Sequence, residues 1–228
     1  MIIESYKPIG QTTVEHINEY KQKNNIKKIC FAGRLDPLAH GKIYILTDND
    51  VFKKEEYCNK NKIYEAWIIK GFTTDSYDIM GIPTLSFKEG QIIPTKFNQK
   101  YPPYSSVMIK KYQKPYWLVT KLNLKMEESD IPTKEVEILN FESLESKLID
   151  NNELLETVRD RINRVNRSQQ FRQQEILEKW EIILQTYNSK INMEKIRVKC
   201  SSGTYIRNIG NMLNGCCLDI HRISYLIE

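Results

Sequence analysis

The sequence predicts an α+β fold: one sheet of short strands, interrupted by a helical insertion near 145–192. Three observations carry that reading. Over 62–71, Ile63, Glu65, Trp67 and Ile69 alternate with Tyr64, Ala66, Ile68 and Lys70, the period of a strand. From about Glu153 the period becomes helical, with Leu155, Val158, Ile162 and Val165 on one face. Strand character then returns at Lys195–Cys200. No internal repeat, low-complexity tract or linker divides the 228 residues, so one domain over 1–228 is expected.

Each element follows from local signals. Ile2 and Ile3 open a short strand that ends in the Lys7-Pro8-Ile9-Gly10 turn. Thr12 and Glu15 have the spacing of a capping box; Val14, Ile17 and Tyr20 follow at helical spacing until Asn24-Asn25. Residues 42–47 and 62–71 read as strands, which sets Tyr64 on a strand face rather than in a loop. Strand and loop alternate up to about Phe141, with Tyr101-Pro102-Pro103 as a rigid interruption. In the insertion, Arg161, Arg164 and Arg167 lie roughly opposite the apolar face, and a second helix turns Ile176, Leu177, Trp180, Ile183 and Leu184 inward. After Ser201-Ser202-Gly203, a last helix buries Tyr205, Ile206, Ile209, Met212 and Leu213.

Composition excludes several classes of function. Hydrophobic residues make up 40% and charged residues 28%, the balance of a folded soluble chain. No apolar run approaches the ~20 residues of a membrane helix, and MIIESYKPIG lacks signal-peptide anatomy, so a cytoplasmic protein with no membrane partner is expected. Five cysteines without a C-x-x-C pair point to reduced thiols; with His16, His40 and His221 standing apart, no metal site is expected. The absence of a phosphate loop and of a G-x-G-x-x-G turn removes nucleotide cofactors. The net charge, 34 − 29 = +5, permits a nucleic-acid partner without requiring one.

Three segments mix polar groups with tight turns. In Gly33-Arg34-Leu35-Asp36-Pro37-Leu38-Ala39-His40-Gly41, proline holds Asp36 extended and glycines bracket the loop, a rigid way to present a carboxylate; an Asp-Pro that merely starts a turn reads the same. Tyr64 in Lys62-Ile63-Tyr64 would stand on the sheet, as an ordinary packed tyrosine also would. In Cys200-Ser201-Ser202-Gly203-Thr204-Tyr205-Ile206-Arg207, the arginine sits early in a helix, against the helix dipole, where it could clasp a carboxylate.

KPIGQTT, GRLDPLAHG, KIYEAWIIKGFTTDSYDIMG, YPPYSSVMIK and VKCSSGTYIRNI occur in that order. In these motifs the chain resembles the TruB family of RNA pseudouridine synthases, over about 5–112 and 196–226. The resemblance implies a pseudouridine synthase fold with a mixed, largely antiparallel sheet flanked by helices. It implies cofactor-free isomerisation of a uridine in the T arm of tRNA, at position 55 in tRNA usage. Asp36 matches the aspartate that acts on the sugar, Arg207 the arginine paired with it, and Tyr64 the tyrosine that stacks on the flipped base. Lys7, Gly33, Lys62, Phe31 and Ile223 are the implied substrate-binding residues. Phe31 stands where many bacterial relatives carry a histidine wedge. Ile223 takes the place of an apolar residue against the base, with Ser224 and Tyr225 in place of an arginine pair. The family's C-terminal PUA RNA-binding domain has no counterpart after Glu228, so a stand-alone monomer without guide RNA is expected. Arg161, Arg164 and Arg167 are candidate RNA contacts, or a solvated basic face. The alternative function is an RNA-binding, tRNA-folding chaperone that keeps the fold without the reaction.

Overall fold

In the computed structural model, which describes residues 1–166 and 171–226, β1 (Ile2–Lys7) leads through the Pro-Gly turn into α1 (Thr13–Lys23). The Thr12–Glu15 capping box forms as its spacing predicts, with the Glu15 amide donating to Thr12 Oγ1 at 3.1 Å and the Thr12 amide to Glu15 at 2.7 Å. Strands β2 (Ile29–Ala32) and β3 (Ala39–Thr47) flank the Asp36 loop. Next come α2 (Lys54–Asn59), β4 (Lys62–Lys70) and a small hairpin of β5 (Phe72–Thr74) with β6 (Pro83–Leu85). Strand β7 (Lys96–Lys100) precedes a second small hairpin, β8 (Met108–Ile109) and β9 (Lys114–Pro115), which runs into α3 (Tyr116–Lys121). The long β10 (Thr133–Ile149) ends at the helical pair α4 (Asn151–Asn163) and α5 (Gln173–Thr186). The chain returns through β11 (Ile191–Cys200), α6 (Ile206–Met212) and β12 (Gly215–Tyr225).

The main sheet runs β1-β3-β12-β4-β11-β10-β7, with β2 also on β3. Its pairs are antiparallel except β12 with β3, so the sheet is mixed and largely antiparallel, as expected. Because β12 lies between β3 and β4, it brings the end of the chain beside the Asp36 loop and Tyr64. The helical insertion is shorter than the predicted 145–192: residues 145–149 and 191–192 belong to the β10–β11 ladder. The helices α2 and α3, each six residues long, are too short to show a period and escape the sequence reading.

Apolar side chains fill both sides of the sheet. Val158 and Ile162 of α4 and Ile176 and Trp180 of α5 pack with Ile69, Phe72 and Met193. Trp180 is fully buried, and its indole N–H donates to the Ile79 carbonyl at 3.2 Å. On the other side, Ile206 and Ile209 of α6 pack on Tyr64, Ala66, Ile68 and Val198. Val14 departs from its predicted face and is exposed, while on α4 Leu155 packs partly buried against the core and its neighbour Leu154 is fully buried.

Two of the three insertion arginines are engaged within the protein. Arg161 pairs with Asp219 at 2.5 Å and Arg164 with Asp160 at 2.8 Å, while Arg167 lies outside the described residues. The Arg164 backbone also packs on the Pro-Gly turn. A Cβ at Gly10, whose φ is +96°, would come within 2.3 Å of the Arg164 carbonyl oxygen, so only glycine fits there.

Candidate active site

The loop that presents Asp36 is pinned at every carbonyl from Ala32 to Pro37. Ala32 O accepts from the Tyr225 hydroxyl at 2.6 Å, and Gly33 O from Arg222 Nη2 at 3.0 Å. Arg34 O accepts from Arg222 Nη1 at 3.5 Å and Leu35 O from Thr13 Oγ1 at 3.0 Å. Asp36 O takes the Ala39 amide, and Pro37 O takes the Gly10 amide together with Lys7 Nζ. These donors come from β1, its turn, the first residue of α1, the start of β3 and β12, so several elements fix one loop. Gly33 itself has φ +76°, and a Cβ there would meet Arg222 and Tyr225 at 3.2 Å.

Arg207, the second residue of α6, meets this loop from the other side. Its Nε donates to Asp36 Oδ2 at 2.8 Å, and its Nη1 donates to Ser76 O at 2.6 Å and Pro103 O at 3.1 Å. The guanidinium is 2% exposed, whereas the Asp36 side chain is 26% exposed. Burial opposes the charge on Arg207, but Asp36 and then Asp78 more than offset it and raise its pKa. Asp78 Oδ2 lies 3.8 Å from Arg207 Nε. Burial pushes the Asp78 carboxyl up to about 6 against the pull of Arg207 and the Ser76 hydrogen bond.

A cavity of about 270 Å³ opens over the pair. Tyr64, Leu35, Ile206 and Ile220 give it apolar walls, while Asp36, Arg207 and Arg222 supply its polar end. Tyr64 is buried in β4 opposite Arg222 of β12, and burial raises its phenol pKa, with Arg222 acting in the opposite direction. An apolar slot ending in a carboxyl group held by a buried arginine can receive a flat ring and present a carboxyl oxygen to what is attached to it.

Residues 21–149, more than half the chain, match the family model described as TruB family pseudouridylate synthase (N terminal domain). The chain belongs to the TruB family. It is similar to a protein of Mycoplasma capricolum named tRNA pseudouridine synthase B, 26% identical over 97% of this chain and 63% of that protein. The protein of the same name from Endomicrobium trichonymphae is 24% identical, over 91% of this chain and 76% of its own. One from Mesoplasma florum is 36% identical over 47% of this chain and 42% of its own. The chain thus spans 63% of the length of the Mycoplasma capricolum relative. Among solved structures, a chain of a Cbf5-Nop10-Gar1 complex superposes on 98% of this chain and 48% of its own. Its TM-score is 0.50 and its identity 16%, a likeness of fold.

The segment matched to the TruB family contains Asp36, Tyr64 and Asp78 and ends at Ile149, the last residue of β10. Of the residues predicted from the sequence, Asp36, Tyr64, Arg207, Gly33 and Lys62 all line the cavity. Lys62 Nζ donates to Cys58 O at 2.8 Å and Lys60 O at 2.5 Å, and burial lowers its pKa to about 8, with Arg222 adding to the effect. Lys7 stays outside the cavity. It is fully buried behind the Asp36 loop, on Pro8 O, Gln11 O and Pro37 O, so it holds the loop rather than a ligand. Burial lowers its pKa to about 7, although Asp36 acts in the opposite direction.

Phe31, on β2, is also absent from the cavity wall; Arg34 and Lys54 lie over its ring at 5.5 and 5.6 Å. Ile223 likewise does not line the cavity. Strand alternation turns Ile220 and Arg222 toward it, so β12 supplies an apolar residue and an arginine there at earlier positions than the sequence reading chose. Tyr225, which replaces an expected arginine, caps Ala32 O and stacks under Arg222 at 4.8 Å. Asp78 and Arg222 are the residues the sequence reading passed over. Asp78 was signalled by its place in Thr74-Asp75-Ser76-Tyr77-Asp78, whereas nothing local marks Arg222, whose partners lie about 180 residues away.

Proposed function

We propose that this chain isomerises a uridine of tRNA, in the T arm, to pseudouridine. The observation that carries the reading is the Asp36–Arg207 pair at 2.8 Å at the end of the slot walled by Tyr64. Isomerisation breaks the N1–C1′ bond and forms C5–C1′, with a proton lost from C5 and one gained at N1. It needs no external oxidant or group donor. Asp36 acts on the sugar, as nucleophile at C1′ or as base, and the Arg207 hydrogen bond fixes the direction of its carboxylate. The target base must leave its stack, and the Tyr64 ring compensates with roughly 1–3 kcal/mol of stacking against an unstacking cost of a few kcal/mol.

The test is release of tritium from RNA transcripts labelled at uridine C5, with wild type and Asp36→Asn. Release by wild type from a tRNA, located to the T arm by mapping pseudouridine, and a loss of more than about 10³-fold in Asp36→Asn are expected. No release from any tRNA by wild type would sink the reading. Tight tRNA binding without release would favour the RNA-folding alternative instead.

A further inference from the structure

Beside the 270 Å³ cavity lies a larger one, of about 500 Å³, within the size range of ligand pockets. The two share Arg34, Leu35, Asp36, Ser106 and Arg207, so both open on the same carboxylate. The walls differ in chemistry. Around the second cavity stand three aromatic rings, Tyr104, Trp117 and Phe171, with Arg172 at its edge. Trp117 is 42% exposed, with its amide on Ser105 O at 2.9 Å. Tyr104 and Arg172 both adopt left-handed backbone conformations, with φ +59°, and hold one another. The guanidinium lies 4.9 Å from the Tyr104 ring centre, and both side chains reach Asp75, at 2.9 Å and 3.3 Å. Two strained residues locked together shape a wall rather than fill a core.

Arg34 stands at the junction of the two cavities. It is exposed, rests 5.5 Å above the Phe31 ring, and pairs with no carboxylate among the described residues. Two adjoining ring-sized sites with a single unpaired cation between them match a dinucleotide: base, phosphodiester, base.

We infer that the second cavity is a nucleobase subsite. It takes the base adjacent to the target uridine on the same RNA strand, stacked on Trp117, while Arg34 holds the phosphate between the two. The inference rests on the proposed reaction at Asp36 and adds to it a means of choosing among uridines by what lies next to them. Phe171 and Arg172 lead into α5, so the helical insertion supplies part of that choice.

The experiment measures Kd for three T-arm stem-loop RNAs over a series of salt concentrations. One RNA is intact, one is abasic at the nucleotide 5′ to the target, and one is abasic on the 3′ side. One of the two abasic RNAs should bind about 5–150-fold more weakly, the range for loss of one stacked base. Trp117→Ala should weaken the intact RNA to the same degree and cost nothing further on that abasic RNA, while Trp117→Phe restores binding. Arg34→Gln should reduce the slope of log K against log salt by about 1, and Arg34→Lys should keep it. The inference is overturned if both abasic RNAs bind like the intact one, if Trp117→Ala costs the same on all three, or if Arg34→Gln leaves the slope unchanged. C5-tritium release, followed in parallel, separates the two readings. Release with no abasic effect overturns the subsite alone; an abasic effect without release overturns the catalytic reading alone. Failure to bind any RNA overturns both.

Discussion

Two aspartate–arginine pairs of similar length lie on opposite sides of the sheet and are built for different ends. On the α6 side, Arg207 is buried and Asp36 is partly open; on the α4 side, Asp219 and Arg161 are about equally enclosed, 15% and 19% exposed. Asp219 is also held from two sides. It accepts from Arg161 at 2.5 Å and faces His40 Nε2 at 3.2 Å; with that N–H toward the carboxylate, His40 Nδ1 accepts from the Tyr6 hydroxyl at 2.6 Å. Burial would raise the pKa of Asp219, but His40 and Arg161 outweigh it and hold the carboxyl below the usual range. An acid with its cation buried behind it and its own face open is arranged to act on something else. An acid enclosed by its partners ties two elements together, here α4 to β12.

Arg207→Ala tests that distinction with the largest expected effect. Turnover should fall by about 10³-fold or more while RNA affinity changes by less than about tenfold, since the guanidinium is behind Asp36 and not on the cavity rim. Stability should fall by about 3–5 kcal/mol in denaturant titration, because Asp78 is left buried without its cation. Arg207→Lys keeps the charge and provides a folded variant in which the kinetic split can be read. Equal losses in kcat and in RNA affinity would reduce Arg207 to a phosphate contact.

Asp219→Asn should do the reverse: about 1–3 kcal/mol less stable, with kcat of the folded protein unchanged. The two sides also differ in the sign of their pH dependence. The folded-state pKa of Asp219 is lowered, so its contribution is present above the ordinary aspartate pKa and is lost as pH falls through the folded value. Asp78, raised to about 6, binds its proton more tightly folded than unfolded, so it lowers stability as pH rises from about 4 to 6. Melting temperatures of wild type and Asp78→Asn across that window should therefore converge at the acid end, with the variant gaining above it. A gain confined to the acid end would contradict this sign.

The sequence made the long elements and the loop chemistry legible, because both are local. The alternation of 62–71 and the Thr12–Glu15 box needed only a few residues, and both formed. The Asp36–Arg207 pairing came from motif resemblance, since 171 residues separate the two and no spacing rule connects them. The same limit hid β12. Its Ile220 and Arg222 alternate toward the cavity only because the strand inserts between β3 and β4, and a register shift at Arg222/Ser224 ends that alternation before Ser224. The surroundings of Lys7 are hidden for a related reason. A lysine in a turn motif reads as a ligand contact until three backbone carbonyls are found around it. Arg161 looked like part of a basic face because its partner lies on a strand 58 residues later.

The smallest effect is expected at a third carboxylate–arginine pair, on the exposed ladder of β4, β10 and β11. Glu142 lies 3.6 Å from Arg197, with both side chains near half exposed, at 44% and 46%. Arg197 keeps a closer partner in Glu65, at 2.6 Å, so removing Glu142 strands no buried charge. Water and salt screen what remains, and Glu142→Gln should cost less than about 0.5 kcal/mol in denaturant titration and leave turnover unchanged. Across Arg207, Arg161 and Arg197, the cation becomes progressively more exposed, and the expected loss declines in the same order. If Glu142→Gln destabilised the protein as much as Asp219→Asn, burial would not be what separates these pairs, and the enclosed Asp219 cluster would lose its standing as a clamp.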